Sequence, residues 1–222
     1  MQSAAILIDR VQRLVKDGSF DPSFILELMN DGLFDICILV SPPDCIVYNY
    51  EMSFFENEAE AKLPDDFLGP RILSIKDKYY DKIESVFYRI EDFDLSKKSN
   101  NSTQFCVKGK TIIISPEPES ESTYYLTYRK EPVIFSNLSD DGSAINYLPT
   151  RVGDKAVVEY ATWKIYEHIE DGIDGAVRNT EKFKGMYAET IASITNYFGT
   201  ESKEKSPETI LLTDGRSNVW GI

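Results

Sequence analysis

A single histidine, His168, occurs in the 222-residue chain, so a Ser-His-Asp or Cys-His nucleophilic device would have to be built on it. It lies between Glu167 and Ile169 late in a helical stretch, and no nucleophile-elbow sequence accompanies it. It reads as a partly exposed helical histidine. Cys37, Cys45 and Cys106 are odd in number and include no C-x-x-C pair, which suggests neither a disulfide framework nor a zinc site and fits a reducing cytoplasm. Carboxylates are far more abundant, at 37 acidic residues. The pairs Asp65-Asp66, Glu91-Asp92, Asp140-Asp141 and Glu170-Asp171 could each supply the two groups that glycoside hydrolysis holds about 5 to 9 Å apart. In so acidic a chain such pairs arise by chance, and solvated turns and helix caps are the simpler expectation. Asp140-Asp141-Gly142 lacks the further oxygen ligands of an EF-hand loop, and there is no Gly-rich phosphate cradle. The expectation is a protein with no catalytic residues, no metal and no cofactor.

Charge narrows the class of partner. A net charge of -13 opposes sequence-independent grip on nucleic acid, where lysine and arginine must displace counterions. An acidic wall would instead let a duplex slide past without sticking. No run approaches the roughly 20 apolar residues of a membrane span, and the apolar N-terminus, interrupted by Asp9, Arg10 and Arg13, reads as an amphipathic helix and not a signal peptide. Asn-x-Ser/Thr matches at Asn100, Asn101 and Asn137 read as turn residues. Tyr124, Tyr125 and Tyr128 alternate, Tyr79-Tyr80 sits in a loop, and without a basic patch these rings are expected to pack across strands rather than stack on bases.

The elements that would hold these residues follow from periodicity. Leu7, Val11, Leu14 and Val15 share one face of a first helix that Gly18 ends. Asp21-Pro22 opens a second helix as N-cap and first-turn proline, with Phe24, Ile25, Leu28, Met29 and Ile36 expected inside, and Pro42-Pro43 stops it. Gly32 within it implies a kink or a close contact. From Ile46 to about Tyr128 the period becomes two, predicting strands at 46–50, 53–56, 71–76, 85–90, 104–108, 111–115 and 123–130, with Gly109-Lys110 as a tight hairpin. Polar loops are expected at 97–102, 116–122 and 137–143.

Helical spacing returns after Leu148-Pro149-Thr150 in Val152, Ala156, Val157, Tyr160, Ala161, Lys164 and Ile165, with a break at Gly172 and Gly175. Phe183, Tyr187, Ile191, Ile194 and Phe198 then stripe a last helix from about Ala176 to Gly199, about 35 Å long. The fold class expected is α+β: a four-helix bundle with an inserted antiparallel sheet or sandwich and an extended C-terminal arm. The divisions are 1–45 for the first two helices, 46–148 for the β domain, 149–199 for the last two helices and 200–222 for the arm. Thr200 to Glu208 is a polar linker, whereas Ile210, Leu211, Leu212, Val219, Trp220 and Ile222 are too apolar for a solvated tail and read as a segment waiting for a partner.

Several phrases in this order resemble the head-to-tail adaptor proteins of tailed bacteriophages, including the tail accessory factors of short-tailed phages. They are Leu63-Pro64-Asp65-Asp66-Phe67-Leu68 leading into strands, Tyr128 to Pro132 as a strand exit, and Leu148-Pro149 before Asp154-Lys155-Ala156 and Tyr160-Ala161. The resemblance covers about residues 4 to 198. The loop at 97–102 and the long arm depart from it. It implies a structural protein and not an enzyme: a homo-oligomeric ring, usually twelve-fold, at the head-tail junction of the virion, assembled in the host cytoplasm. The arm would grip the portal protein, with Trp220 as anchor, a downstream tail or nozzle protein would attach to the sheet domain, and genomic DNA would pass through the channel unbound. No membrane is implied. Rival readings are a virion-associated cell-wall glycosidase and a glycan- or protein-binding module.

Overall fold

Helix α1 spans Ala4–Val15 and presents Ala4, Leu7, Ile8, Val11 and Val15 to the core. It ends at Lys16, whose left-handed backbone (φ 60°) turns its N–H back to the Gln12 carbonyl, two residues before Gly18. Leu14, expected inside, is exposed, because it falls at the edge of the stripe set by the i, i+4, i+7 rows. Helix α2 spans Pro22–Val40, with Pro22 in its first turn and the Asp21 carboxylate accepting from the Ser23 N–H at 2.9 Å. Ile25, Met29 and Ile36 are buried as expected, joined by Leu33 and Cys37, whereas Phe24 is exposed and Leu28 half-buried. Gly32 makes the close contact: a Cβ there would lie 3.1 Å from the Tyr160 ring. The structure is a computed structural model that describes residues 2–83, 86–87, 93, 103–149, 151–170 and 178–199.

The class is α+β, with four α-helices and two four-stranded sheets among the described residues. The chain divides into two compact units, Met1–Pro42 with Val133–Ile222, and Pro43–Pro132. In the first, α3 (Val152–Glu170) packs against α1, α2 and α4 (Arg178–Phe198). Phe183, Tyr187 and Ile194 of α4 are buried, with Ile191 and Phe198 half-buried beside them. The connection before α3 belongs to this unit, since Phe135, Ala144, Ile145 and Leu148 lie in the helical core. Asn30 fixes it by hydrogen bonding both the N–H and the carbonyl of Phe135, at 2.9 and 3.1 Å. The boundary therefore falls at Pro132 and not at 148.

In the second unit, β1 (Ile46–Phe54), β8 (Ser122–Lys130), β3 (Phe67–Lys76) and β4 (Lys82–Ile83) form one sheet in that order, all antiparallel. The other sheet runs β2 (Glu60–Lys62), β7 (Thr111–Ser115), β6 (Gln104–Lys108) and β5 (Val86–Phe87). The break expected at 51–52 is not there: β1 pairs in regular register from Tyr50 to Phe54, and its irregularity is a bulge earlier in the strand, where Asn49 takes a positive φ and the register shifts between Val47 and Tyr50. β5 pairs with β6 in parallel, so this sheet is mixed rather than antiparallel, which the long connection between Phe87 and Gln104 permits. Gly109, at φ 62°, closes the tight β6–β7 hairpin. Met52, Phe54, Phe67, Ile75, Phe105 and Leu126 are among the side chains from both sheets that form one shared core.

Candidate functional site

Among the described residues, Asp65, Asp140, Asp141 and Glu170 of the carboxylate pairs hold surface turns and helix ends. Asp65 pairs with Lys62 at 2.6 Å on the surface, and the hydrogen bond and charge of that lysine lower its pKa. Asp140 accepts from the Ser136 and Gly142 N–H groups, its backbone carbonyl receives the Ala4 N–H that begins α1, and Asp141 accepts from the Ser143 N–H. Glu170 reaches from the end of α3 to the first turn of α4, accepting from the N–H groups of Asn179 and Thr180 and from both their side chains. Burial raises its pKa, but these donors outweigh that and hold it below the usual carboxylate range. Asp171, Glu91 and Asp92 lie outside the described residues, and His168 is exposed on α3. Among the described residues no cluster of three histidine, cysteine or acidic side chains could hold a metal ion, and no helix is long and apolar enough to cross a membrane.

Two of the motif phrases meet in space. The Leu63 side chain is buried and Asp66 accepts a 2.8 Å hydrogen bond from the Tyr128 hydroxyl, while the Asp66 carbonyl accepts from the Glu131 N–H at 2.7 Å. Phe67 sits opposite Lys130 in register and packs its ring 5.8 Å from that of Tyr128. The turn into β3 and the exit of β8 are thus one corner of the β unit, and burial with the Asp66 carboxylate pushes the Tyr128 phenol well above its ordinary pKa. The third phrase starts α3: Leu148 is buried, and the Val152 and Gly153 N–H groups bond the Pro149 carbonyl. A Cβ on Gly153 would meet the Leu148 Cβ at 2.7 Å, so only glycine fits there. Each of these phrases holds a structural corner, a strand turn or a helix start.

Rings follow the same rule with exceptions at the surface. Tyr124 stands edge-on to Phe54 and Phe105 inside, whereas Tyr125 faces out and stacks on Tyr80 at 4.7 Å. Tyr48, Phe55 and Tyr79 are exposed on the β unit. In the helical unit Tyr160, Trp163 and Tyr187 form a ring cluster beside α2, and the Tyr187 hydroxyl donates to Asp35 at 2.7 Å. Burial, then the nearby Asp35 carboxylate, raises the Tyr187 pKa, and burial with Asp35, Asp31 and Glu167 pushes Tyr160 up to about 12. An unfolded tyrosine titrates near 10. Stability from the Tyr160 phenol is therefore complete below about pH 10 and lost as pH climbs through its folded value near 12, and the raised Tyr187 phenol adds a loss of the same sign above about pH 10. Far-UV circular dichroism should show alkaline loss of helix beginning at about pH 10, with a shallower pH slope in Tyr187→Phe; an unchanged slope would contradict the assignment.

The arm residues Ile210, Leu211, Leu212, Val219, Trp220 and Ile222 lie outside the described residues. What periodicity missed are the exposed large apolar side chains on two helices, Ile6 and Leu14 on α1 and Phe24 and Ile38 on α2. The signal was in the sequence: α2 is apolar around most of its circumference, more than a helix with one buried face requires. A family model described as SU10 adaptor protein matches residues 2–209. No curated protein matches the chain.

Proposed function

Because the chain belongs to the SU10 adaptor protein family, a phage adaptor and component of the virion, we propose that it is the structural ring between portal and tail. In this reading copies of the chain close into a ring, twelve-fold to match the portal. The helical unit works as a four-helix bundle, and the β unit is an inserted sandwich directed toward the next tail or nozzle protein. The segment containing Ile210, Leu211, Leu212, Val219, Trp220 and Ile222 grips the portal. DNA passes through an acidic channel that does not hold it.

The single observation that carries this is the family match over residues 2–209, which takes in both compact units. The roles of the acidic pairs as turn and cap residues support a non-enzymatic protein. Ring closure multiplies contacts that are individually weak. Electron microscopy of the protein mixed with its portal should show a ring seated on it. Deleting residues 209–222 should abolish portal binding while circular dichroism and melting of the rest stay as in the full chain. Undiminished binding by the truncated chain, or peptidoglycan clearing on a zymogram that carboxylate substitution abolishes, would overturn the reading.

A further inference from the structure

We propose that the outward face of α2 is the surface on which a second copy of the chain docks, through the outward face of its own α1. The inference rests on the ring reading above and names the helices that make the contact. On α2, positions 24, 27, 31, 34 and 38 recur at intervals of three and four, the spacing of a helix–helix seam. They carry Phe24, Glu27, Asp31, Phe34 and Ile38, two acids flanked by apolar residues on both sides. Phe24 is 37% and Ile38 42% exposed. Glu27 and Asp31 are exposed and have no ion-pair partner among the described residues. Phe34, between Asp31 and Ile38, is half-buried, and α2 contains no lysine or arginine to neutralise the two acids.

The occupant is chosen by charge. In a chain of net charge -13 two copies repel unless a basic face meets an acidic one. The outward side of α1 carries Ile6, Arg10, Arg13 and Leu14, an apolar–basic–basic–apolar order, with Ile6 49% and Leu14 40% exposed. The axial separation of the two arginines is about 4.5 Å and that of the two acids about 6 Å, close enough to pair. Asp9 already holds Arg13 at 2.7 Å, but both side chains are more than half exposed, and such a pair exchanges partners at little cost. Among the described residues the Arg10 guanidinium donates to the neutral Gln2 amide oxygen at 3.1 Å and to no carboxylate. Because donor and acceptor faces are different surfaces of one unit, the contact is heterologous and repeats from copy to copy.

Sedimentation velocity over a concentration series tests it, using the full chain with E27R/D31R, with R10E/R13E, and as an equimolar mixture of the two. Each variant alone should associate about tenfold or more weakly than the wild type. The mixture should regain wild-type mass, because each reversed face then meets its complement on the other variant. Circular dichroism confirms that the exposed substitutions leave the helices intact. Variants that associate as the wild type does, or a mixture that stays dissociated while the wild type assembles, remove the α1–α2 contact and leave the ring standing. A wild-type chain that stays monomeric at all concentrations and on the portal removes the ring reading and this contact with it.

Discussion

Phe105→Ala is expected to destabilise the β unit by about 3–5 kcal/mol. Phe105 has no exposed surface and lies on β6, the strand flanked by β7 and β5. Its ring meets Tyr124 edge-on at 5.0 Å and Phe54 at 6.0 Å, so one side chain joins β6 to β8 and β1 of the other sheet. Truncation removes the apolar burial and opens a cavity that strands pinned on both sides by hydrogen bonds cannot collapse around. A domain of this size has a total stability of about 5–15 kcal/mol, so the loss consumes much of it. Hydrogen exchange should show the amides of β1, β3, β6, β7 and β8 deprotected while those of α1 to α4 in the other unit keep their protection. Tyr80→Ala serves as control: its stack on Tyr125 is on the outer face, and its loss should cost less than about 1 kcal/mol. A Phe105→Ala cost no larger than the control's would mean the two sheets do not share the core described.

The contrast between those two rings shows what the sequence could and could not express. Alternation in β8 predicts that Tyr124 and Tyr128 share a face and Tyr125 the other, and it does so because side-chain direction in a strand depends only on parity. Strands of two or three residues, such as β2 and β4, are too short to show a period: β2 is decided by its pairing with distant β7 and β4 by its hairpin with β3, whereas β5 lies within the strand expected at 85–90. The parallel β5–β6 register is invisible because long-range pairing sets it. Between Val133 and Leu148 the turn residues Asn137, Asp140 and Gly142 dominate the text, yet Phe135, Ala144, Ile145 and Leu148 are spaced between them and enter the helical core. On the helices, a hydrophobic residue at the edge of a stripe can face either way, and Leu14 and Phe24 face out. The motif phrases were legible as sequence, but the bond from Tyr128 to Asp66 that explains two of them joins residues far apart in the chain. The arm, which carries the portal-binding residues of the proposed function, was legible only as an apolar end to a polar tail.

A buried carboxylate was equally illegible among so many acids, and it yields the second large effect. Glu159 of α3 is almost wholly inside, with Oε2 accepting a 2.6 Å hydrogen bond from the Thr190 hydroxyl of α4. Its Oε1 has no hydrogen-bond donor among the described residues, and the half-exposed Lys155 ammonium stands 3.5 Å away, an ion pair without hydrogen-bond geometry. Thr190→Val keeps the volume but strips the carboxylate of its one good donor, which should cost about 2–4 kcal/mol in urea denaturation. Adding Glu159→Leu should return stability to within about 1 kcal/mol of the wild type or above it, since an apolar pair there owes no desolvation and Lys155 can swing into water. The double-mutant cycle thus predicts strong coupling, with the double variant more stable than the Thr190→Val single. If the two losses simply add, the carboxylate is solvated and the pair is not the α3–α4 lock described. The reason to keep such a pair is then register: together with Glu170 on the first turn of α4, it fixes which turn of α4 lies against which turn of α3. Hydrophobic contacts alone, being non-directional, would specify that register less sharply.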